Sequence, residues 1–282
     1  MERGTPAEPF LILHSPARQF PLKPPHTLAE PPVSDVAPAT SPTTPPRPRD
    51  LAAVVFALVL PTIVTWVYFF QAEALPPQLQ LTIFSTVKTI QFAFPLFWVL
   101  AIQRGRVTLR PPNSQGLEIG VAFGAIVAAA IFALYLAVLR NSDPVVEATE
   151  IVIAKVSGWG IDTPWKYGLL GLFYCLIHSF MEEYYWRWFV FGQLRRFTAF
   201  TPAMAVSALG FMAHHVLVLG KFLGFDSPLT YLLSACVAIG GAFWAWLYDR
   251  TGSLLGPWLG HMLVDAAIFT IGFDLVRGLF AA

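Results

Sequence analysis

Charge is what this chain has least of: Asp, Glu, Lys and Arg make up 12% of its 282 residues, and the net charge is +1 at pH 7. A nucleic-acid partner normally shows as a basic stripe, so this balance argues against one. Cysteine is scarce too. Cys175 and Cys236 both sit in apolar segments, suggest no disulfide framework and read as buried packing residues. The chain has no P-loop, Rossmann fingerprint, serine elbow, rhomboid-like GxSx run or HExxH helix, which removes the common nucleotide, serine-hydrolase and zincin signatures. The early Phe10–Leu13 run is too short for a signal-peptide core and no cleavage pattern follows it. No internal repeat is evident, which lowers the expectation of a transporter built from paired halves.

What the chain has in abundance is apolar surface. Hydrophobic residues reach 56%, aromatics 15% and the mean hydropathy +0.60, outside the ordinary soluble range. The expected fold is all-α: a polytopic transmembrane helical bundle of about seven to eight spans around an intramembrane polar cavity. Apolar runs near the roughly 20 residues that cross a bilayer fall at about 51–70, 81–102, 117–139, 166–192, 202–220, 229–248 and 253–273. Asp143 as N-cap and Pro144 in the first turn open a further helix that ends near Gly158 and is expected at the interface. Residues 1–50, with Pro24–Pro25, Pro31–Pro32 and Pro45–Pro46 among Ser, Thr and Ala, read as a disordered cytoplasmic tail, leaving 51–282 as the membrane domain.

Cations mark one set of loops. Arg47 and Arg49 precede the first run, Arg104, Arg106 and Arg110 follow the second, and Arg195 and Arg196 follow the fourth, while the intervening loops are poorer in them. By the positive-inside rule the first set is cytoplasmic, the N-terminus with it, and the cell membrane is the expected location.

The few intramembrane charges are therefore the informative ones, because each is costly in hydrocarbon. Residues 182–187 read Glu-Glu-Tyr-Tyr-Trp-Arg. Glu183 and Arg187, four apart on one helical face, offset each other's desolvation, and Glu182 is left over. A carboxylate kept from water without a partner has the proton affinity that general acid or base work needs. His215 follows Phe211 by four, and Asp265 follows His261 by four, so each pair shares a face. His214 points about 100° away from His215 and reads as structural. At 1.5 Å per residue, Glu182, His215, His261 and Asp265 lie roughly 12–20 Å from the cationic ends of their helices, so groups scattered along the chain converge at one depth. Bland readings remain for each: a structural ion pair, a hydrogen-bonded core histidine, a hydrogen bond to a neighbouring span. The set His178, Glu182, His215 and His261 has the ligand types of a divalent metal site such as zinc. Lys88 reads as a snorkelling residue near the outer end of the second run. Tyr184, Tyr185, Trp186 and Trp188 read as an interfacial belt and packing surface.

The ordered motifs EExxxR (Glu182, Glu183, Arg187), FxxxH (Phe211, His215) and HxxxD (His261, Asp265), each in an apolar helix over about 165–270, resemble the CAAX protease and bacteriocin-processing family of intramembrane endopeptidases. The resemblance implies a helical bundle with its catalytic cavity in the membrane, acting on a membrane-associated peptide or protein, a prenylated CAAX tail being one such substrate. It implies that Glu182, helped by His215, activates water, that His261 and residue 265 stabilise the oxyanion, and that Glu183 and Arg187, with Phe211, hold the site together. CAAX-processing members typically carry asparagine where this chain has Asp265, and an ionised aspartate cannot donate to an oxyanion. Protonation, orientation of His261 or ligation of a metal are the roles open to it. The rival classes are a proton-coupled transporter and a non-catalytic membrane scaffold or immunity factor.

Overall fold

The computed structural model describes residues 1, 45–107 and 110–281. Most of the expected N-terminal tail lies outside the described residues. Within them the chain is helical throughout, without strands. The helices are α1 (Pro48–Gln71), α2 (Pro77–Ile102), α3 (Ser114–Leu139), α4 (Asp143–Gly158), α5 (164–194), α6 (Phe200–Leu223), α7 (Pro228–Thr251) and α8 (Leu255–Phe280). Six of them, α1 to α3 and α6 to α8, are 24 to 26 residues long and apolar enough to cross a membrane. At 1.5 Å per residue they are about 36–39 Å long, more than the roughly 30 Å hydrocarbon core. The protein is an integral multi-pass membrane protein.

Helix α5 is the exception among the expected spans. It stays helical from Pro164 to Leu194 but alternates between α and π turns, the wide turns covering Tyr174–His178 and Tyr184–Phe191. Such i→i+5 turns are rare and concentrate at functional sites. This helix is also the core of the bundle. Tyr185, Trp186, Trp188, Phe189, Val190 and Phe191 are all at most 1% exposed and pack against Val54 and Ala57 of α1, Phe92 and Val99 of α2, Phe211 of α6 and Trp244 of α7. The aromatic run expected as an interfacial belt and packing surface is therefore packing surface at the centre of the bundle. In a bilayer the surrounding helices can expose aliphatic residues to lipid, so the largest rings are free to fill the middle. The outer faces show that inversion: Ile126, Leu136, Val138, Leu232 and Ile239 are each more than 60% exposed. Cys236 lies on the same outward face and Cys175 is half-buried, so neither is the buried packing residue expected.

Helices α3 and α8 touch along a glycine seam. Gly116, Gly120 and Gly124 recur every four residues and face Gly256 and Gly260, and a Cβ at Gly120 or Gly124 would collide with the Gly256 or Gly260 carbonyl. Without a hydrophobic drive in lipid, such small-residue stripes are what lets backbones approach. The seam sets the depth of α8, and with it His261.

The bundle is tied at both ends. At one end Asp50 accepts from Gln103 (2.9 Å) and lies 3.7 Å from Arg196, and Gln103 also meets Gln193, joining the start of α1 to the ends of α2 and α5. Arg195 pairs with Asp249 there at 3.1 Å. At the other end α4 packs the stripe Val145, Ala148 and Val156 inward, and Lys155 sits over the Tyr68 ring while donating to Gln80. Its N-cap is Ser142, with Asp143 and Pro144 already in the first turn, one residue earlier than the sequence pattern implies.

Gly120→Leu is expected to lower thermal stability in detergent by about 1–3 kcal/mol or to prevent folding, because it over-packs a closed seam. Gly168→Ala, where a Cβ meets nothing within 4 Å, is expected to be neutral or stabilising by about 0.5–1 kcal/mol. Equal melting temperatures for the two variants would refute the seam as a determinant of packing.

Candidate active site

Three helices bring their polar groups to one place. The α–π junction of α5 carries Glu182, Glu183 and Arg187, all at most 5% exposed. Arg187 Nη1 lies 3.1 Å from Glu183 Oε1, and Nη2 donates to the Gly241 carbonyl of α7 at 3.3 Å. The guanidinium lies over the Phe211 ring, 4.7 Å from its centroid, and 5.2 Å from that of Trp244. A cation kept from water thus has one carboxylate, one carbonyl and two aromatic faces, partners that offset its desolvation.

Glu183 serves a second group. His261 Nδ1 of α8 lies 2.8 Å from the same Glu183 oxygen. Paired to Arg187, Glu183 is ionised and can only accept, so Nδ1 carries the proton and Nε2 is turned the other way. There it meets Glu182 Oε2 at 3.7 Å and Asp265 Oδ1 at 3.6 Å. The imidazole is held flat against Trp244, with ring centroids 4.5 Å apart and planes 15° from parallel.

The other oxygen of Glu182 faces α6. His214 Nε2 is 3.7 Å from Oε1, and its ring lies parallel to Trp186 at 5.8 Å. Among the described residues His214 Nδ1 has no hydrogen-bond partner. His215, the histidine of the FxxxH spacing, donates through Nδ1 to the Phe211 carbonyl (2.8 Å) and its ring centroid sits 4.2 Å from that of His214. The histidine in closest contact with Glu182 on this side is therefore His214, which the sequence reading took as structural. The 100° offset describes α6 alone; which side of α6 meets α5 is a property of the bundle. Phe211 is the hub of the arrangement, 2% exposed and edge-on to Trp186, His214, His215 and His261.

Around the buried Glu182 lie groups that stay partly accessible: His215, Asp265, His178 and Lys88. His178 lies one turn before Glu182 on α5 and meets Phe92 of α2 edge-on at 5.9 Å. Lys88 is not at the outer end of its span. Helix α2 begins at Pro77, so this residue lies about 16 Å along it, near the middle. Among the described residues no group of three or more His, Cys, Asp or Glu is arranged to hold a metal ion.

Chemically, the arrangement is a carboxylate with an imidazole nitrogen a short gap from each oxygen, braced by a buried ion pair and walled by aromatic rings. That is the equipment of general acid–base catalysis, where a positioned carboxylate moves a proton and nearby N–H groups meet developing charge. Neither a curated protein nor a solved structure matches the chain. Residues 164–267, which contain every motif residue of the site, match the family model described as type II CAAX prenyl endopeptidase Rce1-like. Through this stretch the chain is similar to that family of membrane peptidases, in keeping with the motifs of its three helices.

Proposed function

We propose that the protein is an intramembrane endopeptidase that cleaves a membrane-associated peptide or protein with water activated by Glu182. The observation that carries this reading is the placing of Glu182, buried in the membrane with His214 and His261 each 3.7 Å from one of its oxygens. Such a gap is too long for a direct hydrogen bond and suits a shared water. Glu182 takes a proton as the water oxygen bonds to the peptide carbonyl carbon. The carbonyl oxygen becomes an anion facing the imidazoles. As the C–N bond breaks, Glu182 returns the proton to the leaving amine.

Asp265 is assigned as the positioning residue for His261 Nε2, on the strength of their 3.6 Å approach. His215, with Nδ1 engaged by its own helix and its ring 4.2 Å from that of His214, is assigned as the supporting imidazole of α6. Glu183, Arg187 and Phe211 hold these groups in register and do not touch the substrate. The start of α1 meets the ends of α2 and α5 through Arg49 with the Ile102 carbonyl, Gln103 with Asp50 and Arg196 with Asp50, and the positive-inside rule assigns this arginine-rich end to the cytosol of a cell membrane. Hydrolysis by this route needs no metal ion.

The decisive comparison is of peptide termini in membranes of host cells carrying wild-type protein, Glu182→Ala or His214→Ala at matched expression. New termini present in wild type and lost in both variants are expected. Identical termini in all three, with folded proteins, would sink the peptidase and favour a scaffold or transporter. On an identified substrate, Glu182→Gln and His261→Ala are expected to slow cleavage by about 10²–10⁴-fold, and His214→Ala to cost more than His215→Ala.

Stability separates the two glutamates. Glu183→Gln leaves Arg187 buried without its counter-ion and should destabilise by about 3–5 kcal/mol, whereas Glu182→Gln should melt close to wild type. Equal losses in a detergent melting assay would break this division of roles. Activity that survives complete chelation is expected; activity lost on stripping and restored by one divalent ion would overturn the metal-free route.

A further inference from the structure

Among the described residues, Lys88 is a cation near mid-membrane without a counter-ion. The Lys88 ammonium lies 5.4 Å from the Phe92 centroid and 5.7 Å from that of Phe84. Among the described residues it has no ion pair and no hydrogen bond. This differs from the other cation of the interior, Arg187, which is enclosed by Glu183, the Gly241 carbonyl and two rings. The Lys88 side chain also keeps part of its surface accessible.

Its surroundings point toward the carboxylate site. Phe92 meets the His178 ring edge-on at 5.9 Å, and Tyr185 at 6.0 Å. Lys88, Phe92 and His178 thus form one line of contacts from α2 to α5, and His178 stands one helical turn before Glu182. The close contacts of Glu182 nevertheless go to His214 and His261, and Lys88 stands outside ion-pair distance of it. An unpaired ammonium near mid-membrane is destabilising, and a side chain of this kind marks function where a ligand supplies the missing charge.

We propose that Lys88 is the anion-recognising residue of this site and binds a carboxylate of the substrate to one side of Glu182, so that the enzyme selects peptides bearing a carboxylate close to the scissile bond. The inference rests on the peptidase reading above. A peptide carboxylate is favoured over a lipid phosphate because lipid headgroups lie at the membrane surface, whereas Lys88 lies about 16 Å along α2 from Pro77. The carboxylate has two sources, a chain terminus or an acidic side chain.

The test uses the full-length protein in host membranes, comparing peptide termini for wild type, Lys88→Gln, Lys88→Arg and Glu182→Ala. A parent peptide identified in this way is then made as free acid, as terminal amide and, where it holds Asp or Glu near the cut, with that residue as Asn or Gln. Lys88→Gln is expected to raise KM about tenfold to a hundredfold for the carboxylate-bearing peptide with little change in kcat, a range that corresponds to one charge-assisted hydrogen bond. Whichever neutralised peptide is already poor for wild type, and insensitive to Lys88→Gln, identifies the source. Lys88→Arg should retain most of the preference. Equal loss on neutral and anionic peptides, or a fall in kcat alone, would show that Lys88 only tunes Glu182 and would overturn the proposal.

Stability supplies an independent readout. Lys88→Met, which removes an unpaired charge, should melt at or above the wild-type temperature; a marked drop would make Lys88 structural and overturn the assignment. Loss of no terminus in Glu182→Ala would instead defeat the peptidase reading, and this inference with it.

Discussion

The buried pair of Glu183 and Arg187 is the constraint around which the bundle is arranged. Two charges at most 1% exposed must find every partner within the protein, since neither water nor lipid can supply one. The partners come from different helices: the Gly241 carbonyl and Trp244 from α7, Phe211 from α6 and His261 from α8. Satisfying one ion pair therefore requires four helices to meet at one depth. The same convergence places Glu182, the residue before Glu183, between two imidazoles. Stability and chemistry share these contacts, and Glu183 is where they join, because a single oxygen serves both Arg187 and His261.

That meeting point needs helices that approach closely, and the chain achieves it in two ways. Along α3 and α8 glycines remove the side chains that would separate the backbones. Around α5 the opposite solution applies: its own aromatic rings fill the space among α1, α2, α6 and α7. One contact fixes α8 by absence of volume and the other fixes α5 by excess of it. Held so, His261 stacks on Trp244 and His214 on Trp186, which limits ring rotation and keeps their nitrogens aimed at Glu182. Preorganisation of this sort is what general acid–base catalysis requires of its groups.

Much of the architecture was legible before any coordinates. Apolar runs of bilayer length located every membrane helix to within a few residues, and Asp143 with Pro144 located α4. The i,i+4 spacings of Glu183 with Arg187 and of His261 with Asp265 were legible too, because both partners lie on one helix and its geometry is known in advance. Other features escaped. The repeat of glycine at 116, 120 and 124 was present as a signal but acquires meaning only opposite Gly256 and Gly260. Lys88 was assigned to a helix end because the true start of α2 lies four residues earlier, at Pro77. The aromatic run after Glu183 was read as an interfacial belt and packing surface, and only the packing part holds, since a hydrophobicity scale cannot distinguish a ring facing lipid from one facing protein.

The sequence by itself determined that this is a membrane protein of helices, where those helices run, and that carboxylates and imidazoles share a depth inside the bilayer. These follow from composition and from the fixed rise of an α-helix. Only the tertiary structure decided that His214 stands beside Glu182 ahead of His215, that one Glu183 oxygen bridges Arg187 and His261, and that Lys88 lies between the Phe84 and Phe92 rings without an ion pair among the described residues. Each of these depends on the rotation of one helix about its axis against another, and in lipid, where every helix is apolar on most faces, that rotation is set by packing and pairing across the bundle.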